Sequence, residues 1–273
     1  MPELPEVETV KETLKRQILN ETIDHVTVYY EPIVAYPTAK EFIEQLKGQK
    51  IKAIQRRGKW LLFMLSNNVL LSHLRMEGRY YLKDKKEIPT KHDHVVFSFS
   101  SGKELWYRDT RKFGRMYLYE KENINNKKPI NELGLEPWDQ ALTPTYLKEK
   151  LKQKQIPIKT VLLDQSIVVG CGNIYADEVL FLSKIHPLTK ANSLTEEKLA
   201  IVIQGIQTVL EKAIHLGGTT IKSYESSEGV HGRFQNELAI HRRDYCTVCK
   251  GEVTKITVGG RGTYYCTNCQ KEK

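Results

Sequence analysis

Hydrophobic positions recur along this chain at two periods, and the switch between them divides it. From Glu6 to Ile18 the apolar residues Val7, Val10, Leu14 and Ile18 fall three and four apart, the spacing of one buried helical face. Alternation then takes over, with Ile23, Val26 and Val28, interrupted by a short helical pattern around Phe42, Ile43 and Leu46. Strand-like runs follow at 50–56, 59–65, 69–75, 79–83, 94–100, 104–108 and 115–119, with turn signals at Ser66-Asn67-Asn68 and Ser101-Gly102. Short alternating runs separated by such turns predict a β-sandwich, not βαβ units.

The stretch 121–145 is polar and carries three prolines, so it reads as a linker. Beyond it the period is helical, and helices are expected at 145–153, 158–164, 173–183 and 194–215. For the last, Ser193 and Glu196 suggest a capping box and Gly217-Gly218 a stop. Residues 217–238 are rich in Gly, Ser and Thr and read as a long loop, a kind of segment that is commonly functional. The fold class expected is α+β: a β-sandwich with flanking helices, a helical domain and a small C-terminal module.

Charge narrows the partners. Lys plus Arg number 42 against 33 acidic residues, a net charge of +9, which favours a polyanion such as nucleic acid. The acidic, amphipathic start is unlike a signal peptide, and no run of about 18 apolar residues occurs, so no membrane association is expected. Of five cysteines, four cluster near the end and Cys171 stands apart, which points to a reducing, cytoplasmic setting.

The strongest chemical signal is Cys246-x-x-Cys249 followed by Cys266-x-x-Cys269. Two thiolate pairs joined by a hairpin make a closed tetrahedral site, so one structural Zn2+ is expected, with disulfides as the weaker alternative. On the hairpin, Gly259-Gly260-Arg261-Gly262 presents one guanidinium, which either grips a phosphate or is simply solvated. Gly170-Cys171-Gly172-Asn173 lacks the third glycine and the βαβ setting of a dinucleotide site. Asn173 suits a helix N-cap, whose amides are able to cradle a phosphate. In the central third, turns after strands bring up Met76, Arg111 and Phe113 beside basic residues, as a wedge into a base stack would require. Taken alone, each motif more simply supplies a core residue. His92 and His94 flank Asp93, so one ring is expected to face in and the other out.

The first residues acquire meaning in this company. Removal of Met1 would leave Pro2 as a free secondary amine, partly unprotonated near neutral pH. Its Schiff base would be a fixed cation. Glu3 and Glu6, three apart, place two carboxylates on one face of the first helical turn, as acid/base groups or as ordinary helix-start residues.

The chain resembles bacterial formamidopyrimidine-DNA glycosylases from end to end. The resemblance rests on PELPEVETV, RRGKWLLF, HLRMEG, KHDHV, DTRKFGR, LGLEP, LLDQSIVVGCGNIYADE, GGTTI and GGRGTYYCTNCQ, in order. It implies a catalytic β-sandwich domain over 1–130, a helix–two-turn–helix domain over 131–216, a lesion-recognition loop over 217–238 and a zinc finger over 239–273. It also implies a monomer that acts on double-stranded DNA containing oxidised purines or abasic sites. By position, Pro2 is implied as Schiff-base nucleophile, Glu3 as acid and Glu6 as orienter of the opened sugar. Lys59 is implied at the phosphate side, and Arg261 in the second elimination. Lys159, Asn173 and Arg261 are implied as holding the damaged nucleotide and its phosphates, Met76, Arg111 and Phe113 as filling the void, and His92 as a backbone contact.

The chain departs from the family pattern at Cys171, at His241-Arg242 where the family has Tyr-Gly, and in a link to Cys246 about two residues shorter. Two rivals are weighed against this reading. The related endonuclease VIII type would prefer oxidised pyrimidines, and PELPE with the Met76, Arg111 and Phe113 set argues against it. A zinc-finger DNA-binding protein without activity would need neither Pro2 nor Glu3.

Overall fold

The computed structural model describes residues 1–84, 87–219 and 232–271. Much of the loop expected over 217–238 therefore lies outside the described residues. The described chain forms two compact units, one of Met1–Pro2 and Glu6–Asn131, the other of Glu3–Pro5, 132–219 and 232–271.

In the first unit, helix α1 (Leu4–Ile18) buries Val7, Val10, Leu14 and Ile18, the stripe its spacing predicts. Arg56 donates to Glu8 at 2.8 Å and ties α1 to the sheet. The strands are β1 (Ile23–Val28), β2 (Val34–Tyr36), β3 (Ala53–Arg57), β4 (Trp60–Met64), β5 (Asn68–His73), β6 (Arg79–Asp84), β7 (Asp93–Phe99), β8 (Lys103–Arg108) and β9 (Arg115–Glu120). They build one sheet in the order β1-β7-β8-β6 and another in the order β2-β9-β5-β4-β3. Phe63, Leu70, Phe97 and Leu105 meet in their shared core. The pairing is antiparallel except for β2, which runs parallel to β9. Helix α2 (Ala39–Leu46) opens with a capping box between Thr38 and Glu41.

The second unit holds α3 (Pro144–Leu151), α4 (Ile158–Leu163), α5 (Asn173–Leu182) and α6 (Glu196–His215). Leu147, Val161, Val179, Val202 and Ile206 share its core, and Leu4 belongs to it too. The expected linker is not uniform. Gly134 and Leu135 donate to Gln165 and Ile167 at 2.8 and 3.1 Å, and so stitch 132–135 into this unit. The capping box expected at Ser193 is also displaced. Ser193 lies in a 3₁₀ turn, and Thr195 caps α6 by accepting from Lys198 N–H at 3.4 Å. The finger is a hairpin of β10 (Thr254–Val258) and β11 (Arg261–Tyr265). Its two-residue turn, Gly259-Gly260, has φ of 55° and 73°, which only glycine adopts without strain. No described helix is long and apolar enough to cross a membrane.

Candidate active site and metal centre

In the second unit, Glu3 is buried and its carboxylate sits on the first turn of α5. It accepts from the N–H groups of Gly172 (2.5 Å), Ile174 (3.0 Å) and Tyr175 (3.4 Å). This corrects two sequence expectations. The N-cap residue is Gly172, with Asn173 already helical, and the acceptor at those amides is a carboxylate of the chain itself. A helix start needs an acceptor for its free N–H groups and favours an anion there, and Glu3 answers both. A Cβ at Gly172 would collide with the Glu3 carboxyl, so a larger residue there would push the carboxylate off this seat.

Asn173 instead donates from Nδ2 to the carbonyl of Gly262 at 2.9 Å, while its Oδ1 is buried without a hydrogen-bond partner among the described residues. Beside it lies a charged network. Lys159 is 0% exposed, and its Nζ donates to Asp177 Oδ1 at 2.6 Å and to Thr263 Oγ1 at 2.8 Å. Burial pulls the Lys159 ammonium below its ordinary pKa, against the opposing pull of Asp177. The other oxygen of Asp177 meets His241 Nδ1 at 2.6 Å and accepts from Tyr264 N–H at 3.2 Å. His241, one of the departures from the family pattern, is thus a buried partner of Asp177, its ring 5.0 Å from that of Tyr264. Next along α5, Glu178 accepts from the N–H groups of Ala239, Ile240 and His241 at 2.7 to 3.0 Å and fixes the segment entering the finger. Sequence reading missed Asp177 and Glu178, since a mid-helix acidic pair ordinarily signals solvent. Arg261 opens β11 and is exposed.

The four cysteines converge as expected. Their Sγ atoms all lie within 4.8 Å of one another, with Cys249 and Cys266 at 3.4 Å and Cys246 and Cys269 at 3.9 Å. Tetrahedral zinc with Zn–S near ~2.3 Å calls for sulfurs about 3.8 Å apart, so the set fits one ion and leaves no open position. Four thiolates with no vacant corner make a structural site.

In the first unit, Pro2 and Glu6 are buried. Lys59 is also buried, at the second place of the Gly58-Lys59 turn between β3 and β4, not at a strand start as expected. Gly58, with φ 56°, takes the first place of that two-residue turn. His94 is buried with Nε2 2.7 Å from the Asp109 carbonyl oxygen, and His92 is half-exposed, so one ring faces in and the other out. Arg108 pairs with Asp93 through two bonds of 2.7 and 2.9 Å. Burial raises the Asp93 carboxyl, but Arg108 and Thr90 outweigh it and hold the pKa below the usual range.

Met76, Arg111 and Phe113 all occupy turns. Phe113 is 47% exposed with the Arg111 guanidinium 4.8 Å from its ring centre, and Met76 is half-exposed. Phe113 is therefore not a core residue. His73, at the end of β5, accepts from Arg75 N–H at 2.9 Å. Burial, helped by the charges of Arg75 and Lys59, pulls its pKa down to about 3, consistent with a neutral ring whose Nδ1 must keep its lone pair.

Against known families, residues 1–116 match the formamidopyrimidine-DNA glycosylase N-terminal domain and 133–225 the H2TH domain of the same enzymes. Residues 245–271 match a zinc finger found in FPG and IleRS. The formamidopyrimidine-DNA glycosylase of Bacillus cereus (strain ATCC 10987) is 48% identical over 273 residues, covering 99% of each chain. That of Oceanobacillus iheyensis is 45% identical over 276 residues, covering 100% of this chain and 99% of the relative. A crystal structure of Lactococcus lactis Fpg in complex with an abasic site containing DNA superposes with a TM-score of 0.91 at 37% identity, covering 99% of this chain and 100% of that one. The same protein with N7-benzyl-Fapy-dG containing DNA gives 0.92 at 38% identity and the same coverage. Identity of this extent, along both units and the finger, places the chain: it belongs to the formamidopyrimidine-DNA glycosylase family.

Proposed function

We propose that this chain excises oxidised purines, 8-oxoguanine and formamidopyrimidines, from double-stranded DNA and then cuts the strand at the resulting abasic site. A base inside a duplex is out of reach, so the nucleotide must be flipped out at a cost of a few kcal/mol. Met76, Arg111 and Phe113 fill the space it leaves. Lys59, His92, Lys159, Asn173 and Arg261 hold phosphates and the extruded nucleotide, and the +9 charge assists non-specific association.

With Met1 removed, the Pro2 nitrogen attacks the anomeric carbon. The N–C bond forms, the glycosidic bond breaks, and the base leaves with the bonding pair. Glu3 takes up the proton that the Pro2 nitrogen gives up on attack and delivers it to the sugar ring oxygen as the ring opens, leaving an iminium cation on Pro2; the departing base is protonated by water, and Glu6 orients the opened sugar. The cation acidifies the adjacent C–H, so loss of that proton expels the 3′ phosphate. A second deprotonation, in which Arg261 takes part, expels the 5′ phosphate, and water releases the sugar fragment from Pro2. Zinc supplies no step. Its cysteines hold the hairpin that carries Arg261 and Thr263.

The observation that most supports this reading is the fixed seat of the Glu3 carboxylate, buried on three N–H donors directly after Pro2 in the chain. The test is borohydride trapping on duplexes carrying 8-oxoguanine, a formamidopyrimidine or thymine glycol. Covalent protein–DNA product is expected with the first two. It should vanish when Met1 is retained, because Pro2 is then an amide. Glu3→Gln should lose excision yet still cleave a pre-formed abasic site. Trapping undiminished with Met1 retained would move the nucleophile elsewhere, and preference for thymine glycol would overturn the substrate.

A further inference from the structure

The turns 74–78 and 109–114 carry Met76, Arg111 and Phe113, and both are built around two side chains to which nothing above gives a role. Asp109 is 0% exposed. Its Oδ1 accepts from Arg111 N–H at 3.0 Å, and its Oδ2 from Phe113 N–H at 2.9 Å and Gly114 N–H at 2.8 Å. One buried carboxylate therefore gathers the backbone of the whole second turn, leaving the Arg111 and Phe113 side chains outward. Such gathering lets Lys112 hold φ at 58°, a conformation disfavoured for a residue with a side chain.

Tyr107 does the corresponding work between the turns. Its ring is fully buried, and its hydroxyl lies against Gly78 of the first turn and Gly114 of the second. A Cβ added at either glycine would overlap that oxygen. The hydroxyl makes no well-formed hydrogen bond among the described residues, and burial, with the Asp109 carboxylate nearby, pushes its pKa well above the ordinary phenol value. Pressed against both glycines, the oxygen keeps the two turns apart by its bulk. It is a spacer of fixed length between two glycines. At the surface the turns are joined once more, by Thr110 Oγ1 donating to Glu77 Oε2.

We infer that the turns bearing Met76 and Phe113 form one preassembled wedge, and that Asp109, Tyr107 and the Thr110–Glu77 bond are its positioning residues. This rests on the proposed excision from duplex DNA. A wedge entering a base stack gains nothing from tips that must first be ordered, because each ordered rotor subtracts from the interaction. A carboxylate on three neutral N–H groups fixes the turn without placing a further cation beside the DNA.

The experiment compares two substrates under single-turnover conditions. One is 8-oxoguanine paired in an intact duplex, read as base release. The other is a pre-formed abasic site opposite a one-nucleotide gap, read as borohydride trapping, where there is no base to extrude and no partner base to hold in place. Asp109→Asn, which replaces one acceptor oxygen by a donor, should slow release at least tenfold and leave trapping within twofold. Thr110→Val and Glu77→Leu, both at the surface, should slow release about threefold and leave trapping alone. Tyr107→Phe, which removes the oxygen that spaces the two glycines, should slow release and leave trapping within twofold. Parallel losses on both substrates, or no loss on either, would overturn the inference. Should Asp109→Asn fail to fold, the Thr110 and Glu77 variants decide alone. A parent chain that traps at abasic sites but releases no 8-oxoguanine would instead sink the proposed substrate, and the wedge with it.

Discussion

Asp109 in the first unit and Asp177 in the second are both buried carboxylates, and they are satisfied in opposite ways. The Asp109 carboxylate accepts from backbone N–H groups of its own turn, and the Arg111 and Phe113 side chains stay outside. Asp177 accepts from Lys159 and Tyr264 N–H and pairs with His241, drawing a lysine wholly out of water. The first device shapes backbone at little electrostatic cost. The second holds a cation in place against its own desolvation, a cost that an ion pair barely offsets. The turns of the proposed wedge rest on backbone geometry, and the Lys159 site on charge. Perturbing each should leave different traces.

The largest effect is expected from removing the metal. The finger's own apolar cluster is small, made of Phe181, Ile240, Cys246 and Cys266 with a few half-buried neighbours. Such a cluster cannot hold a hairpin closed, whereas a structural zinc contributes on the order of 10 kcal/mol. Chelation should unfold β10 and β11, release Thr263 from Lys159 and abolish DNA binding, while the β-sandwich persists. Metal analysis should find about one zinc per chain. Circular dichroism after chelation that shows intact finger and sandwich together would break the contrast.

Next in size is Asp177→Asn. It leaves Lys159 buried with its counter-charge gone, so a loss of about 3–5 kcal/mol is expected in chemical denaturation. Replacing Lys159 and Asp177 together by apolar residues should recover much of that loss while still weakening DNA binding. If the single variant unfolds at the parent's denaturant midpoint, Asp177 is no more than a surface acid in function.

How much of this was legible follows from the range of the contacts. Strands β3 to β9 were readable because alternation and turn residues are local. Strand β2 was not, since three residues show no period and Val34–Tyr36 is defined by its parallel pairing with β9. Residues 132–135 read as linker because their partners, Gln165 and Ile167, are some thirty residues on. Among the expected site residues, the chemistry and spacing of Pro2, Glu3 and the cysteines can be read from the sequence alone. What Glu3 touches cannot, for its donors lie 169 to 172 positions away. Asp177 was invisible for a related reason: nothing near it in sequence says that Lys159 and His241 arrive on its two oxygens.

His73 tests the first unit by pH. Its folded pKa of about 3 lies below the unfolded value of 6.5. Between those values the unfolded chain binds a proton that the folded chain refuses, so stability is lost as pH falls through the window. About 2 kcal/mol should be gone by pH 5 from this residue alone, at 1.36 kcal/mol per unit. His73→Gln, which can still accept from Arg75 N–H, should flatten the dependence of melting temperature on pH between 6.5 and 5. An unchanged slope would show that His73 takes up its proton without leaving the fold.

The smallest change in stability, and the sharpest test of the comparison, is expected at Phe113. Its ring is 47% exposed and rests on the Arg111 guanidinium, not on the sandwich core. Phe113→Ala therefore removes only the covered half of an exposed ring and opens no cavity, so unfolding free energy should shift by less than about 2 kcal/mol. Phe63→Ala, from the core between the sheets, should cost about 3–5 kcal/mol by the cavity it leaves. Activity should run the other way. Phe113→Ala should slow release of a paired lesion strongly, while Phe63→Ala should act only in proportion to the folded fraction. The Asp109 N–H bonds do not involve the ring, so the turn keeps its shape in Phe113→Ala and only its tip is lost. A Phe113→Ala chain that melts like the core variant would make this ring part of the fold and leave the wedge without its point.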